Sequence, residues 1–144
     1  MEQARKHLKI SSIVVLIFAG LFMLELVSGL VFGDSTSVEG VSEEVLRITR
    51  IFVLSISLVM MLPQIYIGIK GLLIAKNPNA SCGHIVWAII LFVFSVLSLV
   101  SPIVGMFQQG IVYQPIKELF GVLLEVLIYF DYIKYAKAVR TEYR

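Results

Sequence analysis

The sequence predicts an all-α, polytopic membrane protein: a bundle of four transmembrane helices with both termini cytoplasmic. Three observations lead there. Of 144 residues, 58% are hydrophobic and only 15% charged, with a mean hydropathy of +0.92, a balance well outside that of soluble domains. The apolar residues fall into four runs of about 20 residues, the length a helix needs to cross a hydrocarbon core of about 30 Å. Lys and Arg then gather on one side of the arrangement, as the rule of cytoplasmic positive charge requires. Four spans use up most of the chain, so residues 1–144 form a single transmembrane domain.

The first run, Ile10 to Phe32, follows the basic stretch Arg5, Lys6, His7, Lys9. Its 23 residues exceed the apolar region of a signal peptide, about 7 to 15 residues, so it is a retained span. The acidic loop GDSTSVEGVSEE comes next. In it Ser42, with Glu43 and Glu44 after it, is placed to cap a second helix whose apolar part is Ile51 to Ala75. Pro63 near its middle predicts a kink and frees the carbonyl of Val59, with Ser55 and Ser57 as local partners. The turn KNPNASCGH ends that helix.

A third span covers Ile85 to Phe107, with Trp87 at the interface and Pro102 toward the far end. After the reversal QQGIVYQP, the fourth covers about 116–136, although Lys117, Glu118, Glu125 and Asp131 interrupt it. With the termini inside, Arg5, Lys6, Lys9, Lys76, Lys134, Lys137, Arg140 and Arg144 are cytoplasmic. Only Arg47, Arg50 and Lys117 lie outside, and Lys70 falls within a span. That asymmetry predicts a multi-pass protein of the cell membrane.

Several function classes are excluded or left without support. The net charge of +2 comes from basic residues at the chain ends, which suits lipid headgroups and not nucleic acid. Cys82 is the only cysteine, so an intramolecular disulfide, a redox pair and a cysteine-based zinc site are ruled out. His7 and His84 belong to no metal-ligand spacing. There is also no phosphate-binding loop, nucleophile elbow or dinucleotide fingerprint. No catalytic residue, metal or cofactor is expected, and an enzyme would have to be of an unrecognised type.

Ionisable groups inside a span cost about 2.5–3.5 kcal/mol on insertion scales, so each needs a reason. The candidates are Glu25, Lys70, Glu125 and Asp131. At a rise of about 1.5 Å per residue, Glu25 lies about 10 Å below the outer end of its helix and Glu125 near the midplane. Lys70 and Asp131 both lie about 8 Å above the inner boundary. They either pair across helices, or Lys70 snorkels to the interface. Glu125 shares its level with Gln64 and Ser95, and Glu25 with Ser101. Such acids are either neutral, hydrogen-bonded structural groups or titrating groups of a transport pathway.

Ser95, Ser98, Ser101 and Gly105 form one stripe of the third helix. Close helix packing is preferred to a polar lining for that stripe, and Gly68, Gly71, Gly20 and Gly29 are expected to serve packing in the same way.

The stretch PQIYIGIKGLLIAKNPNASCGHIVWAIILFVFSVLSLVS, Pro63 to Ser101, resembles small uncharacterised four-helix membrane proteins of Firmicutes. These have a glycine-bearing second helix, a short polar turn and a third helix rich in Ile, Leu and Ser; no settled activity comes with the resemblance. The run LELVSG, with Glu25 one turn before Gly29, is similar to the first span of small multidrug transporters. That resemblance implies alternate binding of protons and cationic substrate at Glu25. The chain departs from that family in its greater length, in the aromatic and glycine signatures of the later helices and in the cation Lys70. Claudin-like and tetraspanin-like proteins share the span count but rely on cysteine pairs.

The function expected first is therefore non-enzymatic association, with membrane lipid, with itself as a homo-oligomer, or with a larger membrane complex. The alternative is proton-coupled transport of small cationic compounds by Glu25 and Glu125. A cavity reaching both acids would raise transport above association.

Overall fold

The computed structural model describes residues 2–32, 42–78, 81–109 and 113–142 and is all-helical. Residues 33–41, Asn79, Ala80, residues 110–112 and Arg144, which figure in the loop and charge readings above, lie outside the described residues. Helix α1 is Glu2–Phe32, α2 is Glu43–Lys76, α3 is Gly83–Ser98, α4 is Val100–Gln109 and α5 is Tyr113–Thr141. Three segments are apolar and long enough to cross a membrane: Glu2–Gly29, Glu43–Lys76 and Gly83–Gln108. Helix α5, which contains the fourth expected span, is not among them, since its charged residues dilute every window along it.

Helix α2 begins as the sequence predicts. Ser42 is extended (φ −66°, ψ 145°), and its Oγ accepts from the Val45 N–H at 3.4 Å, with Glu43 and Glu44 in the first turn. The other end of α2 is closed by a residue from α1. Arg5 donates from Nε to the Ala75 carbonyl at 3.0 Å and from Nη2 to the Lys76 carbonyl at 2.9 Å, placing a cation on carbonyls that have no helical partner. The basic start of α1 thus caps the end of α2. Ser55 Oγ donates to the Ile51 carbonyl at 2.8 Å, so it is not available to the Val59 carbonyl that Pro63 frees.

The segment expected as the third span is divided. Helix α3 ends at Ser98, Leu99 forms a turn with its N–H on the Val96 carbonyl at 3.2 Å, and α4 starts at Val100. Pro102 is the cause: it has no N–H to give the Ser98 carbonyl and its ring crowds that group, so the helix tightens and restarts just before it.

Helix α1 packs against α2 and α5, and α3 packs against the other side of each, closing a four-membered ring; α4 continues along α5. The core lies toward one end. Leu8, Ser12 and Val15 of α1, Ile67 and Ile74 of α2, His84, Ile85 and Ala88 of α3, and Tyr132, Ala136 and Val139 of α5 are all buried. The start of α1, the end of α2, the start of α3 and the end of α5 therefore meet at that end.

Two glycines let the helices close there. A Cβ at Gly68 would lie 2.6 Å from Leu16, and one at Gly71 would collide with Ser12 Oγ and the Tyr132 ring. Tyr132 is fully buried, and its hydroxyl donates to the Ile67 carbonyl at 2.8 Å. Small residues thus bring the helix backbones together at this end. Gly20 and Gly29 do not share this role within the bundle: a Cβ at either meets nothing within 4 Å among the described residues.

Candidate functional site

The opposite half of the bundle is open. Between the second half of α1, the α3–α4 break and the first half of α5 lies a cavity of about 420 Å³, within the range of small-molecule sites. Phe18, Leu21 and Phe22 line it from α1, Pro102 from α4 and Val122 from α5. Three carboxylates reach it: Glu25 from α1, and Glu118 and Glu125 from α5. Ser98 and Ser101 stand on the wall across from them.

Each acid is delivered by simple helix geometry. Glu118, Gly121, Val122 and Glu125 recur at three- and four-residue intervals and so share one face of α5. On α1 the same intervals bring Phe18, Leu21, Phe22 and Glu25 to one face. Gly121 adds no side chain, which leaves room between the two α5 carboxylates. Glu125 is half-buried at the inner limit of the cavity, where buried Ser95 donates to its Oε2 at 3.3 Å. Glu25 is exposed on the α1 wall.

The serine stripe is oriented differently from its expected packing role. Ser95 serves Glu125, while Ser98 and Ser101 are exposed and line the cavity; Ser98 Oγ donates to the Phe94 carbonyl at 2.9 Å. Ser101 shares the cavity with Glu25, the partner suggested for it by depth. Gln64 lies beside the Tyr129 hydroxyl, one turn of α5 beyond Glu125.

Lys70 and Asp131 stand apart from this cavity and from each other. Asp131 turns to α1, where its Oδ2 accepts from Ser11 Oγ at 3.5 Å, while Lys70 is exposed on α2.

Glu118 was missed by sequence reasoning, which treated it only as an interruption of a span. Its spacing of seven residues from Glu125, two helical turns, was the available signal. Among the described residues, no cluster of His, Cys, Asp and Glu could hold a metal ion. An acidic cavity walled by phenylalanines is suited to a cation with an apolar body, since carboxylates and aromatic faces both attract positive charge. Comparison with known proteins adds no relative: no family model, curated protein or solved structure matches the chain.

Proposed function

We propose that the chain is a four-pass protein of the cell membrane, with both termini cytoplasmic, that binds small lipophilic cations and exchanges them for protons on Glu25 and Glu125. It is not an enzyme in this reading. The observation that carries the proposal is the convergence of Glu25, Glu118 and Glu125 on one cavity beside Phe18 and Phe22. Carboxylates inside a membrane are costly unless paired or functional, and these three converge on one space. With the buried end of the bundle toward the cytoplasm, the cavity lies in the outer half of the bundle.

The neutral acid and the cation-bound carboxylate are alternative occupants of one position. A cation entering the cavity displaces the protons held there, and protonation releases it. Ser95 holds Glu125 in place through either state, because its hydroxyl donates to a carboxylate or accepts from a carboxylic acid. The test is equilibrium binding of tetraphenylphosphonium to the purified protein in detergent, with protons released on binding followed by a pH indicator. Binding with proton release in the wild type, lost in Glu125→Gln, is expected. Wild-type affinity in that variant would overturn the assignment.

Association, with lipid, a second copy or a larger complex, keeps one supporting observation. The faces of α1 around Gly20 and Gly29 are open to close approach by another helix. Contact around Gly20 would stand beside the transport reading, since that face is turned away from Glu25, whereas Gly29 shares the Glu25 face one turn on.

A further inference from the structure

The closed end of the bundle carries buried polar atoms that neither the fold nor the acidic cavity uses. His84, in the first turn of α3, is 1% exposed, and both its ring nitrogens are sealed from solvent without a hydrogen-bond partner among the described residues. Nε of Arg140, on α5, is in the same condition. The His84 ring meets the edge of Tyr132 at a centroid distance of 6.1 Å, a contact that gives neither nitrogen a partner. Buried polar atoms of this kind destabilise a fold unless something pairs with them.

The two charges that act on His84 are both positive. Arg140 from α5 and Lys70 from α2 both act electrostatically on His84. Asp131, the acid at this level, is turned toward Ser11 of α1. The start of α3 adds to the imbalance: Cys82 provides no side-chain cap, and Ile85 and Val86 both donate to its carbonyl, at 3.0 and 3.1 Å. The positive end of that helix dipole therefore faces the same region.

We propose that His84, Arg140 and Lys70, from three different helices, form a binding site for a phosphate group at the end of the bundle where the chain termini lie. His84 and Arg140 supply the inner donors, and Lys70, exposed on α2, supplies the outer charge. Arg140 is only half-buried, and rotation of its long side chain is the movement that admits the ligand. A phosphate accepts from a planar guanidinium and an imidazole at once, which matches this donor set. The headgroup of an anionic phospholipid and free phosphate present the same chemistry. The site is separate from the acidic cavity and does not depend on its proposed role.

The experiment is calorimetric titration of the full chain in phosphate-free detergent with short-chain phosphatidic acid, inorganic phosphate and short-chain phosphatidylcholine. Saturable binding of phosphatidic acid or inorganic phosphate is expected, about tenfold weaker in both Arg140→Gln and His84→Gln. Lys137→Gln, an exposed cation on the same helix, should bind as the wild type does. Preference for phosphatidic acid over inorganic phosphate assigns the site to lipid, and equal affinity assigns it to the free anion. If His84→Gln fails to fold, the comparison of Arg140→Gln with Lys137→Gln decides alone. Absence of phosphate binding, or equal weakening by Lys137→Gln and Arg140→Gln, would overturn the proposal.

Discussion

Ser95 Oγ on α3 donates to Glu125 Oε2 on α5 at 3.3 Å, at the inner limit of the cavity that also receives Glu25 and Glu118. This bond ties the candidate site to the helix that carries the Pro102 break. Replacing Ser95 with Ala should lower stability by about 1 kcal/mol, the net worth of a typical hydrogen bond. It should also weaken cation binding, because the Glu125 carboxyl loses the group that orients it. Detergent unfolding and tetraphenylphosphonium titration of Ser95→Ala measure the two effects. Unchanged stability and affinity together would show that the bond has no role.

Gly71 and Gly20 separate glycines required by packing from glycines that are free. A Cβ at Gly71 collides with Ser12 and Tyr132, whereas one at Gly20 meets nothing within 4 Å. Gly71→Ala should therefore destabilise the bundle by about 1–3 kcal/mol through overpacking. Gly20→Ala should be neutral or stabilising by up to about 1 kcal/mol through helix propensity. Unfolding of the two variants in one detergent gives the comparison, and equal losses would contradict the packing described for α2.

Lys70 and Asp131 act independently in this account, because Asp131 faces Ser11 on α1 while Lys70 is exposed on α2. In phosphate-free detergent the effects of Lys70→Ala and Asp131→Ala should add to within about 0.5 kcal/mol in the double variant. A coupling of 1 kcal/mol or more, roughly the least expected of a paired site, would restore the ion pair that equal depth suggests.

Cys82 is exposed at the closed end of the bundle, beside the turn placed in the cytoplasm by the charge count. A membrane-impermeant thiol reagent should leave it unlabelled in intact cells and label it after permeabilisation. Labelling of intact cells would invert the topology.

The outline of the fold was legible because apolar length is a strong signal: α1, α2 and the α3–α4 segment each overlap an apolar run, and Ser42 marked the start of α2. The division at Leu99 was not foreseen, although Pro102 lies in plain view, because a proline in a membrane helix produces a bend in one context and a break in another. Gly68 and Gly71 pack inside the bundle as expected, whereas Gly20 and Gly29 meet no neighbour among the described residues. A small residue permits close approach without supplying the neighbour, and only the three-dimensional arrangement reveals which helix is there. The meeting of Glu25 with Glu125 was open to estimates of depth only in part. Depth fixes position along the membrane normal, while the face each acid presents depends on how α1 and α5 turn toward each other. Arg5 shows the same limit, since nothing local to its sequence announces the carbonyls of Ala75 and Lys76 that it caps.

The central claim is that Glu25 and Glu125 carry protons against a cation in one shared cavity, and proteoliposome flux tests it most directly. With an imposed proton gradient, the purified wild-type chain should drive tetraphenylphosphonium movement above that of protein-free liposomes. Glu25→Gln and Glu125→Gln should each reduce it to that background, and Glu43→Gln, at the start of α2 and outside the cavity, should leave it intact. Wild-type flux no greater than that of empty liposomes, or full flux in both cavity variants, would contradict the account.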